Sequence, residues 1–170
     1  MRVSNSSPLI YLSKLGQLHL LRELFGEVAT PASAMSEIMR GKERGYADVA
    51  VIEKARQDGW LKSVELKRRG VREVARLRQT FSDISQQDAA ALVLAKDLNA
   101  TLLVDDDRAA KVADLLGVKH AGTLRIILLA TEKRLLTKTQ AEKLFLSLLD
   151  HGFYISHDLL AEFLKQLAQI

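Results

Sequence analysis

The sequence predicts an α/β fold in which helices cover a short, mainly parallel sheet. Short stretches of strand-forming residues alternate along the chain with longer stretches whose apolar residues recur at helical spacing. This alternation favours a parallel sandwich with right-handed crossover helices. The 170 residues are enough for one domain with a buried core, and only two prolines interrupt them. Leucine and alanine dominate, which favours a helix-rich protein.

Five short stretches are candidate strands, and capping residues predict where several helices begin. The candidate strands are residues 2–4, 26–29, 60–64, 101–104 and 118–121. Ser7 followed by Pro8 predicts the start of the first helix, because serine caps helices and proline is tolerated at the first helical position. Residues 40–46 are charged and contain glycine, which indicates a loop.

The last third of the chain is predicted to be helical. Thr137 with Gln140 matches a capping box, and Ser156 predicts the start of the final helix. These patterns form a C-terminal helical extension over about residues 124–170. No linker or internal repeat separates it from the rest, so we predict a single domain over residues 1–170.

The composition excludes several kinds of protein. Because the chain has no cysteine, neither a disulfide framework nor a thiolate metal site is possible. No apolar run approaches the length of a membrane span and no signal peptide is evident, so we expect a cytoplasmic protein with no membrane partner. The formal charge of +4 permits nucleic-acid binding without showing it. The fingerprints of nucleophilic hydrolases, Walker loops and dinucleotide-binding folds are absent.

Three consecutive carboxylates, Asp105, Asp106 and Asp107, follow the fourth candidate strand and lead into a helical pattern. We expect them at the carboxyl end of a parallel strand, the edge where ligands bind in such sheets. Their mutual repulsion favours a cation beside them, either a divalent metal or basic side chains. The alternative is that Asp106 or Asp107 only caps the helix that follows.

Three further polar residues are candidates for the same site. Asp88 begins a helix that is apolar on every side through residue 95, so it either pairs with the cap Ser85 or points into a site. Asn5 ends the first candidate strand and should lie at the same sheet edge, although Asn there is usually turn chemistry. Glu37 lies beside the apolar stripe of its helix, where solvent exposure is the usual case.

The strongest basic run is residues 67–72, which contains Arg68, Arg69 and Arg72. One interpretation is a solvated helical face. The other is a surface that contacts the phosphates of a nucleic acid. No aromatic residues alternate with these arginines, so base stacking has no support there.

Several of these motifs together resemble the ordered acidic motifs of the PIN domain. The matching segments are residues 5–10, Glu37, residues 88–92 and residues 104–107, and residues 122–123 with 152–156 resemble a prokaryotic subfamily of toxin-like PIN proteins. The resemblance covers nearly the whole chain. It implies a PIN-like three-layer α/β/α sandwich with extra C-terminal helices.

The resemblance also implies a function. PIN proteins of this kind are similar to the VapC-type toxins of toxin–antitoxin pairs, which are ribonucleases that depend on Mg²⁺ or Mn²⁺. It therefore implies hydrolysis of RNA phosphodiester bonds, RNA as the substrate, an antitoxin protein as a candidate partner, and a homodimer. Arg68, Arg69 and Arg72 would contact the RNA backbone.

The family's acidic positions fall on Asn5, Glu37, Asp88 and one of Asp105, Asp106 and Asp107. Asp106 is the first choice for the last position and Asp107 the second. Asp88 and Asp106 would bind the metal directly, Glu37 would bind metal or orient the water, and Asn5 would coordinate through its oxygen or hold a ligand water. The family normally has Asp where this chain has Asn5. Because an amide lacks the charge, metal affinity should fall, and the alternative function is a non-catalytic binding or regulatory module.

Overall fold

The computed structural model describes residues 1–43 and 47–170, and its centre is a five-stranded parallel sheet. The strands are β1 (Arg2–Ser4), β2 (Val28–Pro31), β3 (Leu61–Val64), β4 (Thr101–Leu103) and β5 (His120–Ala121). They lie in the order β3-β2-β1-β4-β5, and every neighbouring pair is parallel. The chain proceeds from β1 toward one side of the sheet and later from β4 toward the other. A topological switch point therefore lies between β1 and β4.

The described residues form ten helices. They are α1 (Ser6–Lys14), α2 (His19–Phe25), α3 (Ala32–Glu43), α4 (Ala47–Gln57), α5 (Arg68–Thr80), α6 (Gln86–Asp97), α7 (Asp107–Leu115), α8 (Thr123–Glu132), α9 (Lys138–Asp150) and α10 (His157–Gln169). Apolar residues of α5, α6 and α7 pack on one face of the sheet, and those of α1 to α4 pack on the other. This arrangement is a three-layer α/β/α sandwich with a parallel sheet and extra C-terminal helices, as the sequence predicts.

Helix α6 is apolar on every side because it is covered on every side. It packs between the sheet and the neighbouring helices, and every residue from 88 to 95 is buried. Gly70 of α5 allows close packing, since a Cβ built there would lie 3.4 Å from a methyl carbon of Val93. The buried helix therefore holds Asp88, in its first turn, at a fixed position beside the sheet.

The C-terminal helices share a core with α2. Leu20 of α2 belongs to the same buried cluster as residues of α8, α9 and α10, and within that cluster the rings of Phe145 and Phe163 stack at 5.0 Å. The predicted capping box is present, because the side chains of Thr137 and Gln140 each bond the other residue's backbone N–H. Within the two described ranges, no helix is both long and apolar enough to cross a membrane.

Two of the predicted boundaries are wrong. Helix α1 begins at Ser6 rather than after Ser7, and its N-cap is Asn5. Pro8 therefore lies in the first turn, where its missing N–H would have had no helical partner in any case. The loop predicted for residues 40–46 is helical through Glu43 of α3, and residues 44–46 lie outside the described part of the chain.

Candidate functional site

The switch point brings the end of β1 beside the end of β4. Ser4 pairs with Leu103 in the parallel register, and the backbone N–H of Asn5 donates to the carbonyl of Leu103 at 3.0 Å. Asn5 thus lies next to the turn that carries Asp105 and Asp106. In sheets of this kind, the crevice outside these strand ends is the usual ligand site.

Asp88 has two hydrogen-bond donors on its carboxylate. Ser85 caps α6: its hydroxyl accepts from the backbone N–H of Asp88 at 3.0 Å and donates to Asp88 Oδ2 at 2.6 Å. The amide Nδ2 of Asn5 donates to the other carboxylate oxygen, Oδ1. Asp88 thus pairs with its cap, as one of the two interpretations predicted, and it also reaches across 83 residues of sequence to the end of β1.

Asp106 caps α7 and also acts on Asp88. Its Oδ1 accepts from the backbone N–H groups of Arg108 at 3.0 Å and Ala109 at 2.9 Å. Burial raises the pKa of Asp88, the Ser85 hydrogen bonds oppose that rise, and the negative charge of Asp106 adds to it. The two carboxylates are thus close enough to repel each other, at a place where Asp88 is only 8% exposed.

Asp105 binds α8. Its Oδ1 accepts from the backbone N–H of Thr123 at 2.6 Å, and its Oδ2 accepts from the Thr123 hydroxyl at 2.7 Å. Burial raises the pKa of Asp105 to about 6, even though the two Thr123 hydrogen bonds act in the opposite direction. Gly122 permits this contact, since a Cβ built there would lie 3.0 Å from Asp105 Oδ1. Asp105 therefore connects β4 to α8.

A family model described as a PIN domain matches residues 1–169. The chain belongs to the PIN-domain family. Proteins of this family are generally nucleases and typically use divalent metals. The predicted resemblance is thereby confirmed as far as the family is concerned. No curated protein matches the chain.

Two other predicted site residues are exposed, and their part in the site stays a prediction. Asp107 is exposed in the first turn of α7. Glu37 is exposed on α3 and lines a separate cleft of about 650 Å³ with Lys14 and Asp48. The contacts that carry the acidic site thus join Asn5 and Asp88, with Asp106 acting through its charge.

Two basic residues outside the predicted patch contact the chain around the start of α6. Gly70 of α5 packs against Val93, which lies about a turn and a half of α6 beyond Asp88. The exposed Arg68, Arg69 and Arg72 flank Gly70 and therefore lie at that distance along α6. Arg78, at the other end of α5, donates to Gln86 Oε1 at 3.1 Å, in the first turn of α6.

Arg108 is a second basic residue beside the acidic turn. Its guanidinium donates to the carbonyl of Asp83 at 3.4 Å, in the segment that leads into α6. Sequence reasoning gave no role to Arg108, although its position directly after the three carboxylates was a usable signal.

The described residues contain no group of three or more Asp, Glu or His side chains that could form a metal cage. Mg²⁺, however, often keeps several waters and binds proteins through one or two carboxylates together with substrate phosphates. The pair of the buried Asp88 and the exposed Asp106, two carboxylates that repel each other, fits a site of that open kind.

An open cleft of about 580 Å³ adjoins the acidic turn. One part of its wall is the turn itself, including Asp105, Asp106 and Arg108. Another part is the segment between α9 and α10, including Phe153 and Tyr154. A ligand in this cleft would therefore touch the acidic turn and the C-terminal helices together.

Proposed function

We propose that this PIN domain is a metal-dependent ribonuclease that hydrolyses RNA phosphodiester bonds beside Asp88 and Asp106. The observation that carries the proposal is the geometry at the switch point of the sheet, where Asn5 at the end of β1 donates to Asp88 and Asp106 follows β4. The negative charge of Asp106 also raises the pKa of Asp88. A cation stabilises like charges that lie close together, and a hard divalent cation prefers oxygen ligands.

Asp88 and Asp106 would hold the metal, either Mg²⁺ or Mn²⁺. When bound, the metal supplies positive charge that lowers the pKa of water and stabilises negative charge developing on the phosphate. Ser85 and Asn5 orient Asp88, because each donates a hydrogen bond to one of its carboxylate oxygens. A direct role of Glu37 toward metal or water stays a prediction.

The RNA backbone would be bound by the exposed basic residues. Arg78 and Arg108 are hydrogen-bonded to the start of α6 and to the segment before it, so they are candidate cations for a phosphate near Asp88. Arg68, Arg69 and Arg72 continue the positive surface along α5 for a longer strand. Phosphate contacts of this kind weaken as salt concentration rises.

The second candidate function is a binding or regulatory module without catalysis. Asn5 favours it, because its Nδ2 donates to Asp88 Oδ1 where an acidic residue would leave that oxygen open to a cation. With Ser85 on Oδ2, both oxygens of Asp88 have partners in the absence of metal. In this case the protein binds RNA and cleaves none.

Cleavage of several single-stranded RNAs as a function of Mg²⁺ or Mn²⁺ concentration tests the proposal. The matched variants are Asp88→Asn and Asp106→Asn, which remove a charge with little change of shape. Asn caps helices about as well as Asp, so Asp106→Asn should keep α7 intact while it removes a metal ligand. We expect wild-type cleavage with metal and a loss of at least about 100-fold in each variant, comparable to other single removals of transition-state stabilisation.

Wild-type cleavage no greater than that of Asp88→Asn, on every RNA and with both metals, would end the ribonuclease proposal in favour of the binding module. Exposed Asp158, at the start of α10, offers a control: Asp158→Asn removes a charge in the first turn of another helix and should cleave like the wild type. The toxin role, the antitoxin partner and the homodimer stay predictions. Co-purification with the product of an adjacent open reading frame, and the mass of the purified protein in solution, would test them.

A further inference from the structure

We propose that the cleft between the acidic turn and the segment joining α9 to α10 holds a nucleotide of a single-stranded RNA, with Tyr154 as the stacking surface for its base and Arg108 as a contact for its phosphate. The inference rests on the proposed ribonuclease function, and it adds a place and a structural preference for the substrate.

Tyr154 is an exposed aromatic residue whose neighbours are firmly placed. Its side chain is 82% exposed, whereas the adjacent Phe153 is 8% exposed and packs edge-on against Tyr11 with the ring centroids 5.1 Å apart. On one side Gly152, at φ +79°, follows the C-cap of α9, and on the other Ser156 caps α10 by accepting from the N–H of Leu159. The exposure of Tyr154 is thus set by an ordered segment anchored at both ends.

An exposed ring on an anchored segment is suited to stacking. Every nucleobase has an aromatic face, so a protein can bind single-stranded RNA without regard to sequence by presenting such a ring. Tyrosine loses little conformational freedom on binding, since its side chain has only two rotatable angles. The basic run of α5 lacks aromatic residues, and Tyr154 supplies the stacking surface that is missing there.

The size of the cleft agrees with a nucleotide. Its volume of about 580 Å³ falls within the range of ordinary small-ligand sites. Phe153 and Leu124 contribute apolar wall, while Ser7 and Ser156 contribute hydroxyl groups. A base with an attached ribose has the same mixture of an apolar face and polar edges.

The charges that line the cleft orient the nucleotide, because the carboxylates of Asp105, Asp106 and Asp107 repel a phosphate and an arginine attracts it. Two arginines line it: Arg125 is paired with Glu132 at 2.9 Å, but Arg108 makes no ion pair with a carboxylate in the described ranges. Arg108 is therefore the cation left to a phosphate. It stands two residues after Asp106, so a phosphate it binds lies beside the proposed site of cleavage.

The bases of a duplex are already stacked on one another, and sequence-tolerant stacking on a protein ring requires splayed bases. The site therefore favours single-stranded RNA over the duplex of the same sequence.

The test measures binding of a short fluorescein-labelled single-stranded RNA by fluorescence anisotropy in EDTA, with the duplex for comparison. We expect Tyr154→Ala to weaken binding of the single strand by roughly tenfold, the effect of one lost stacking contact, and Tyr154→Phe to bind within about twofold of the wild type. The control Leu146→Ala removes another exposed apolar side chain, on α9 and outside the cleft, and should bind like the wild type.

Salt dependence separates the two proposed contacts. Arg108→Ala should reduce the slope of log affinity against log salt by about 0.7, the value for one phosphate contact in a single strand. Tyr154→Ala should lower the affinity and leave that slope unchanged, because stacking releases no counterions. Arg22→Ala, at an exposed position on α2, is the control for loss of one positive charge.

Equal RNA binding by Tyr154→Ala and Leu146→Ala would overturn the inference. Loss of self-association in Tyr154→Ala, with RNA binding intact, would overturn it as well and assign the ring to a protein interface. A protein that binds RNA through Tyr154 but cleaves none keeps this nucleotide site and ends the ribonuclease proposal. A protein that cleaves and binds RNA equally well without the Tyr154 ring keeps the ribonuclease proposal and ends this one.

Discussion

Replacing Asn5 by Asp is the most informative single change, because it introduces the carboxylate that the resemblance implies at the point where Asn5 meets Asp88. The substitution removes the Nδ2 donor to Asp88 Oδ1 and puts an acceptor in its place. Both residues are buried, at 4% and 8% exposure, so water cannot screen the new repulsion well. Without metal, the variant Asn5→Asp should therefore be less stable than the wild type.

The size of the effect follows from the contact that is lost. A hydrogen bond to a charged group contributes about 1.5–3 kcal/mol. Two unit charges about 4 Å apart repel by about 4 kcal/mol at an effective dielectric constant of about 20. These losses do not add in full, because two close carboxylates can share one proton. We expect the free energy of unfolding in EDTA to fall by about 2–4 kcal/mol near pH 7, with a melting temperature lower by on the order of 5–10 °C.

The effect should depend on pH in a definite direction. A carboxyl pair that holds a proton in the folded state, at a pH where the unfolded carboxyls are ionised, makes the folded state bind more protons. Stability then falls as pH rises through the folded-state pKa, so the deficit of Asn5→Asp should be small near pH 5 and larger near pH 7. Mg²⁺ or Mn²⁺ should reverse it, since a ligand present at about 100 times its Kd adds about 2.7 kcal/mol.

Urea unfolding at pH 5 and pH 7, with EDTA and with each metal, measures the loss of stability and its reversal by metal. RNA cleavage at low metal concentration is measured for the same variants. Asn99→Asp is the matched control: the same change at an exposed residue, whose φ of +47° Asp also tolerates. If Asn5→Asp and Asn99→Asp lose the same stability at every pH and gain nothing from metal, then Asn5 and Asp88 do not form the contact described above. If Asn5→Asp gains metal stabilisation but cleaves no RNA above Asp88→Asn, the restored metal site is not sufficient for catalysis.

Two further predictions concern the connection between β4 and α8. Asp105→Asn should raise the free energy of unfolding near pH 7 by up to about 3 kcal/mol, because burial raises the pKa of Asp105 to about 6 and makes its ionised form unfavourable in the folded protein. The amide of Asn can still accept from the N–H of Thr123 and donate to its hydroxyl. In the wild type, the stability that protonated Asp105 contributes is fully present below about pH 4 and is lost as pH rises through about 6. Asp105→Asn should therefore flatten the pH dependence of the free energy of unfolding, measured by urea titration. An unchanged pH profile would contradict this prediction. Gly122→Ala should lower the free energy of unfolding by about 1–3 kcal/mol, since its Cβ would lie 3.0 Å from Asp105 Oδ1. The control Gly70→Ala, whose Cβ contacts would be 3.4 Å, should be neutral or stabilising. Equal effects of the two substitutions would contradict this prediction.

Much of the fold was predictable because its signals are local. All five strands lie where short strand-forming stretches predicted them, within a few residues. The capping box at Thr137 and the cap at Ser156 were also predictable, because a cap involves residues only three positions apart. The exception was Asn5, whose capping of α1 was missed because Ser7 before Pro8 is an equally good local signal.

The site was predictable as a set of chemical types and only partly as an arrangement. The prediction that Asn5 and Asp88 belong to one site rested on the parallel sheet, whose strand ends share an edge, and on the family resemblance; a hydrogen bond joins the two residues. Periodicity could not show that Asp105 turns to Thr123 while Asp106 acts on Asp88, since neighbouring residues in a turn point in different directions. It also could not show that Arg108 reaches the backbone of Asp83, because 25 residues of sequence separate the two.

The sequence by itself determined the alternation of strands and helices, the family, and the residues able to hold a cation or an RNA phosphate. These follow from composition, spacing and motifs that each occupy one short stretch of chain. The tertiary structure alone decided which of those residues meet, because strand order sets the switch point and no local pattern encodes strand order. It also decided that Asn5 presents its amide nitrogen to Asp88, since its oxygen already accepts from the N–H of Ser6 at the start of α1.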